Sequence, residues 1–337
     1  MAIVLTLVDP HLARLIAVAA SPGAGRRGAI VRALLPRAVT STATIPGLEA
    51  GLYGLAGGDP ETRVAVAPVT WLYDTGTPAG PDCWRADPVH IRVGTSAGAV
   101  LLPEALRPGA DEAATLVSDI AEALDWPAGK LVAAVPERWY IRDTGWPDIT
   151  TASPFEAAQG DLADALPRGS EAAPIRLLMS EIQMVLGEHP VNRERQRLGL
   201  PTINSLWFWG GGSGNERLQR FRLPRLFGED AFLGGLGRLM EEEMRPLPTP
   251  CDKGFWRCLD RETVVLLTSG GACAPGAWQD VALERLEAWL ARARRELLRG
   301  RLRALRLADA QGRLFRWRRT DLLKIWRRKL PAGRAEP

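Results

Sequence analysis

Residues 189–214, HPVNRERQRLGLPTINSLWFWGGGSG, gather side chains that a hydrophobic core does not require. His189-Pro190 opens the stretch, Asn192 follows, and Arg193, Arg195 and Arg197 stand at alternate positions. Gly199-Leu200-Pro201 interrupts the run, Asn204-Ser205 follows, and apolar residues 206–209 lead into Gly210-Gly211-Gly212-Ser213-Gly214. Arginine offers a planar, permanently charged fork that suits phosphate and carboxylate. Glycine lets backbone N–H groups approach an anion closely. Pro190 and the 199–201 break predict that the arginines stand near loop ends and not within a helix. Burial of Trp207 and Trp209 would anchor the glycine loop that follows. The expected ligand-binding set is therefore His189, Asn192, Arg195 and Asn204 with the amides of Gly210, Gly211 and Gly212, and the expected ligand is a small anion. The competing reading of these residues is a helix end, a turn, a buried strand and a plain glycine loop.

A second group lies in Trp84-Arg85-Ala86-Asp87-Pro88-Val89-His90. If this string is extended, Arg85 and Asp87 share one face. Arg85, Asp87 and His90 are then secondary site candidates. They are equally an Arg–Asp pair that fixes a strand, beside a histidine satisfied by backbone. Residues 21–28 (SPGAGRRG) lack the Lys-Ser/Thr of a phosphate loop. Thr150, Thr151 and Ser153 have no histidine beside them, so no nucleophile is assigned. Ser269-Gly270-Gly271 follows an apolar run, and reads either as a sheet-edge site or as a turn.

The order His-Pro-x-Asn-x-x-Arg, Gly-x-Pro-x-Asn, Trp-x-Trp-Gly-x-Gly is carried by His189, Pro190, Asn192, Arg195, Gly199, Pro201, Asn204, Trp207, Trp209, Gly210 and Gly212. It resembles a segment of the archaeal-type cofactor-independent phosphoglycerate mutases and their bacterial relatives. In length and order of segments the whole chain is also similar to a bacterial group named Rpf-cluster regulatory proteins (RpfE type), with the string 84–90 as a second point of likeness. The mutase resemblance implies an alkaline-phosphatase-like fold, a serine nucleophile, and two divalent metals held by Asp and His. Here the histidines are His11, His90 and His189, and none follows residue 189. Asp9 comes after the apolar run 3–8, where a first metal ligand would stand, but Pro10 follows it in place of glycine. A two-metal site built from imidazoles cannot be assembled from these residues. No metal ligand and no cofactor are expected, a divalent metal entering only if the protein is an active mutase or phosphatase with an atypical site. The first expectation is a non-catalytic or regulatory mutase relative that binds a phosphorylated or anionic metabolite. The second is an active cofactor-independent phosphoglycerate mutase or phosphatase with an atypical site, and the third is a regulator that touches nucleic acid through a basic C-terminus.

The composition must carry those residues on an ordinary soluble fold. The 337 residues are 46% hydrophobic and 24% charged, with a formal net charge of +4, which does not announce nucleic-acid binding. Cys83, Cys251, Cys258 and Cys273 show no CxxC spacing, so cytosolic thiols are expected and a zinc site is not. Asp9, His11 and Arg14 interrupt the apolar N-terminus, no positive residue precedes it, and no run reaches the length of a membrane span. A cytoplasmic protein with no membrane partner is expected.

Apolar runs predict strands over 3–8, 64–69, 206–209 and 264–267, with another inside 130–142. Helices are predicted over 48–55, 111–124, 174–188, 230–240 and 281–298. Residues 301–319 alternate Arg with apolar residues around a turn at 309–312, as a half-buried hairpin would; the interleaved Trp317 and Trp326 also suit nucleic acid. Together these predict an α/β fold, a mostly parallel central sheet with helices on both faces over residues 1–250. The expected C-terminal α+β portion covers 251–330.

Overall fold

In the computed structural model the described residues are 3–42, 47–55, 58, 64–80, 82–92, 99–145, 149–170, 172–212, 224–267 and 278–323. The strands, in chain order, are β1 (Ile3–Val8), β2 (Val39–Thr42), β3 (Cys83–Arg92), β4 (Ala99–Leu101), β5 (Leu131–Val135), β6 (Arg138–Ile141), β7 (Ser205–Gly212), β8 (Arg225–Phe227), β9 (Thr263–Leu266), β10 (Leu302–Ala308) and β11 (Arg313–Trp317). They form two sheets within two compact units, Met1–Arg63 with Leu218–Pro337, and Val64–Arg217. The expected division at residue 250 does not hold, because β10 pairs in parallel with β1. The C-terminal segment thus completes the sheet that the N-terminus begins.

The sheet of the first unit runs β2-β11-β10-β1-β9-β8. The pairs β8–β9, β9–β1 and β1–β10 are parallel, while β10–β11 and β11–β2 are antiparallel. β1 is aliphatic but for the buried Thr6, because it sits between parallel neighbours and is covered on both sides. Leu5 and Leu7 on β1 pair with Leu305 and Leu307 on β10 and join Val265, Phe315 and Trp317 in one core. The helices Leu12–Ala20, Ala29–Leu34 and Trp278–Leu298 close that core through Leu12, Leu15, Val31, Leu286 and Trp289. The buried Trp317 indole donates to the Leu34 carbonyl at 2.8 Å, as a buried Trp N–H requires. The predicted C-terminal hairpin is present as β10–β11. Two of its arginines are paired, Arg306 with Glu262 and Arg313 with Asp309, and Arg292, Arg299 and Arg301, which precede it, meet Glu296.

The sheet of the second unit is antiparallel throughout, not an extension of a parallel one. β3 is its centre, flanked by β7 and β6; β5 pairs with β6, and β4 with the end of β3. The strand predicted over 64–69 is instead the start of a helix, Val66–Thr75. Val66, Ala67, Val69, Thr70 and Trp71 are all buried. A helix enclosed on most sides has no amphipathic period to betray it, so the apolar run imitated a strand. Among the described residues no helix is long and apolar enough to cross a membrane.

Candidate functional site

The stretch singled out by sequence is built differently from the expectation. Pro190 does not break a helix; it begins one, Pro190–Arg197, at the first-turn position where its missing N–H costs nothing. His189 is the N-cap, and its Nδ1 accepts from the Val191 amide at 3.2 Å. Nε2 therefore carries the proton and donates to Asp119 Oδ2 at 2.9 Å. Asn192 is buried and clamps two segments: Nδ2 donates to the carbonyls of Leu186 and Ile203, and Oδ1 accepts from the Ile203 amide. Asn204 imitates a strand residue, accepting from the Ile91 amide and donating to the Ile91 carbonyl.

Arg195 lies inside the helix and only 1% of it is exposed. Its Nε donates to the Pro201 carbonyl at 2.7 Å, Nη1 to Glu112 Oε2 at 2.8 Å, and Nη2 to the Leu106 carbonyl at 2.5 Å. The same Glu112 oxygen accepts from the Gly109 amide, closing the start of the helix Ala110–Ala123. The fork expected to meet a ligand meets protein on every arm.

Gly210, Gly211 and Gly212 likewise belong to β7 and not to a loop. A Cβ on Gly211 would fall 1.8 Å from the Trp84 ring, and one on Gly210, whose φ is +63°, would fall 2.9 Å from Val66 Cβ. Close packing demands these glycines. Ser213 and Gly214 lie outside the described residues, as do Ser269–Gly271, Cys273 and Trp326.

Arg85 and Asp87 do share one face of β3. Arg85 Nε and Nη2 donate to Asp87 Oδ1 at 2.9 and 2.6 Å, and Nη1 reaches Thr70 Oγ1 at 3.4 Å. Trp209 Nε1 donates to Asp87 Oδ2 at 2.6 Å. The guanidinium stands 5.3 Å from the ring centroids of both Tyr140 and Trp209. Beyond it Arg138 grips Asp74 with two nitrogens, and Tyr140 donates to Asp74 Oδ2 at 2.6 Å. Burial works to discharge Arg85, but the Asp87 carboxylate holds its pKa above the ordinary value. Burial lifts Asp87, against the pull of Arg85 and the Trp209 hydrogen bond. Every charge here faces its opposite, so the cluster is a closed polar core. His90 points elsewhere, with Nδ1 3.0 Å from the carbonyl and hydroxyl oxygens of Thr202. Sequence reasoning missed Thr70, Asp74, Arg138 and Tyr140. The signals were present: Thr70 and Asp74 stand one helical turn apart, and Arg138 and Tyr140 alternate along a strand.

In the first unit the polar group of interest is Asp9, at the C-terminal end of β1, between β9 and β10. The strand pairing continues past the strand ends, with the Asp9 amide donating to the Ala308 carbonyl and the Leu267 amide to that of Val8. Asp9 is fully buried. Its Oδ1 accepts from the His11 amide at 2.9 Å, whereas Oδ2 has no hydrogen-bond partner among the described residues. Burial pushes its pKa from 3.8 up to about 6, against the His11 hydrogen bond and the charge of Arg285. Arg285 Nε and Nη2 are also buried without a hydrogen-bond partner among the described residues. Burial, with the charges of Arg14 and Arg285, takes His11 down to about 4. Its ring leans on Trp278 at 4.7 Å between centroids.

The two divalent metals implied by the mutase resemblance find no ready donor set here: a cation at Asp9 would stand in the field of the Arg285 charge, and among the described residues no three His, Cys, Asp or Glu side chains converge.

No family model matches the chain. It is 33% identical, over 97 residues, to the 2,3-bisphosphoglycerate-independent phosphoglycerate mutase of Methanothrix thermoacetophila. The match covers 28% of this chain and 25% of that protein. A probable enzyme of the same name from Geobacter sulfurreducens is 34% identical over 64 residues, covering 19% of this chain and 16% of its own length. These local matches are what the chain shares with the cofactor-independent phosphoglycerate mutases. It matches a quarter or less of the length of these relatives. Among solved structures, the cofactor-independent phosphoglycerate mutase of Thermoplasma acidophilum is similar over 94% of this chain and 89% of its own, at 14% identity and a TM-score of 0.37. A Pyrococcus horikoshii protein is similar over 94% and 87%, at 14% identity and a TM-score of 0.47.

Proposed function

We propose that this chain does not interconvert phosphoglycerates and instead binds a phosphorylated or anionic metabolite in a regulatory role, as the likeness to the Rpf-cluster group implies. The observation that carries the reading is the charge partner of Asp9. Where the mutase pattern would place a metal ligand, the carboxylate stands in the field of Arg285. An arginine there attracts anions and repels divalent cations. The histidine census supports the same conclusion, since His11, His90 and His189 are the only imidazoles in the sequence. His90 and His189 are engaged with Thr202 and Asp119.

Titration calorimetry of 3-phosphoglycerate into EDTA-treated protein tests the reading. Saturable binding without added metal is expected. Binding that appears only with manganese, accompanied by turnover, would overturn it in favour of an active mutase with an atypical site.

A further inference from the structure

We propose that a cavity at the N-terminal ends of β1 and β10 binds a small apolar molecule with one carboxylate, held there by Arg257 and Arg301. The proposal goes beyond the reading above and does not depend on it, since the ligand class comes from the cavity's own lining.

The cavity, of about 370 Å³, lies within the first unit. Sites for small molecules run from about 300 to 1,000 Å³, so it suits a compact ligand. Ile3 and Leu302, which pair at the start of the parallel strands β1 and β10, line it. It therefore stands at the opposite end of β1 from Asp9, about 20 Å away by the rise of a strand. Trp256 and Leu259 complete an apolar wall. That wall is fixed before any ligand arrives. The Trp256 indole donates to the Pro250 carbonyl at 2.9 Å, and its ring meets Phe255 edge-on at 5.0 Å between centroids. A rigid wall lowers the ordering cost of binding.

The polar part of the lining carries unspent positive charge. Gly300, in left-handed backbone at φ +78°, ends the helix Trp278–Leu298. The turn lets the Arg301 amide donate to the Glu296 carbonyl at 3.0 Å and brings the Arg301 side chain back beside Glu296. Glu296 also lines the cavity, but its buried carboxylate is already shared by Arg292, Arg299 and Arg301 at 3.1, 3.2 and 3.3 Å. Arg301 spends only Nη1 on it, and its side chain is 58% exposed. Arg257, exposed in the last turn of the helix Lys253–Arg257, has a guanidinium with no hydrogen bond or ion pair among the described residues. Two guanidiniums thus border one cavity with donors that a ligand can reach.

This lining makes two demands. The guanidiniums call for an anionic acceptor, and a planar carboxylate matches their fork. The apolar wall calls for a body with no polar group to leave unpaired. An apolar monocarboxylate meets both. 3-Phosphoglycerate meets only the first, since its hydroxyl and second charge would be left against the apolar wall.

The test is titration calorimetry at pH 7.5 with 3-phenylpropanoate, with its neutral amide 3-phenylpropanamide, and with acetate, which lacks the apolar body. Circular dichroism checks the fold of each variant. Wild type should bind the acid, the amide about tenfold or more weakly, and acetate without saturable heat. Arg257→Gln changes an exposed, unpaired side chain, so it should fold, lose about tenfold or more in affinity for the acid, and bind the amide as wild type does. Leu259→Trp, which fills the cavity, should lose both. Acid and amide bound equally, no binding of the acid, acetate bound as tightly, or a folded Arg257→Gln or Leu259→Trp that binds the acid as wild type does would overturn the proposal. If Leu259→Trp does not fold, the acid-to-amide ratio and Arg257→Gln decide. 3-Phosphoglycerate should not displace the acid, and displacement would overturn the assignment to an apolar ligand. Manganese-dependent phosphoglycerate turnover would overturn the functional reading alone and leave the acid-to-amide ratio unchanged.

Discussion

Arg85 Nη2 lies 2.6 Å from Asp87 Oδ1 while Trp209 Nε1 donates to the other oxygen of the same carboxylate, also at 2.6 Å. One buried carboxylate thus joins two residues of β3 to β7. Removing one partner leaves a charge without its counter-ion, so Asp87→Ala should cost about 3–5 kcal/mol in urea unfolding. A double change, Arg85→Met with Asp87→Leu, should cost less than Asp87→Ala alone. A double variant less stable than the single would contradict the closed-pair account.

Arg195 is expected to act on stability, because its guanidinium holds Pro201, Glu112 and Leu106. A lysine ammonium cannot span three acceptors arranged around a planar fork. Arg195→Lys should lower stability by about 1.5–3 kcal/mol and leave 3-phosphoglycerate affinity unchanged in the folded fraction. Calorimetry on the folded variant checks this, and selective loss of binding would restore Arg195 to the ligand site.

Gly211→Ala should be more costly than a glycine exchange on a free loop. The added carbon meets the Trp84 ring inside the sheet, and overpacking of this kind costs about 1–3 kcal/mol. A melting temperature equal to wild type would show that β7 has room there.

Asp9 gives the fold a pH dependence whose sign follows from burial. Its carboxyl is raised from 3.8 to about 6. The protonated form is therefore favoured in the fold, a stabilisation complete below pH 4 and lost as pH rises through 6. His11, lowered to about 4, works in the opposite sense, losing its contribution as pH falls from 6.5 toward 4. Comparing Asp9→Asn with wild type isolates the carboxyl. The variant should gain on wild type by up to about 3 kcal/mol between pH 4 and pH 7. A difference that stays constant over that range would contradict the burial of an ionisable Asp9.

Local signals made much of this fold legible. The strand at 3–8 and the helix at 48–55 fall where their apolar patterns place them. The helices near 111–124 and 281–298 shift by at most three residues, and the hairpin near 301–319 is present. The failures share a cause in tertiary context. The run 64–69 lacked a period because the helix Val66–Thr75 is covered nearly all round. Pro190 was read as a break although proline also starts helices. Two of the three partners of Arg195 stand 83 and 89 residues away, a distance that no local pattern spans. Asn192, Asn204 and the glycines of β7 stand out in the sequence, and in the structure they make hydrogen bonds to backbone and close packing contacts. Arg285, whose charge acts on Asp9, stands most of the chain away from it in sequence, and no local pattern links the two.

The central proposal is that this chain, similar in part to the mutases, binds an anionic metabolite and does not interconvert phosphoglycerates. The most direct measurement is the interconversion of 3- and 2-phosphoglycerate by the purified protein in the presence of manganese, with and without EDTA. The account predicts no interconversion above the protein-free blank in either condition. Turnover that EDTA abolishes and added manganese restores would contradict it.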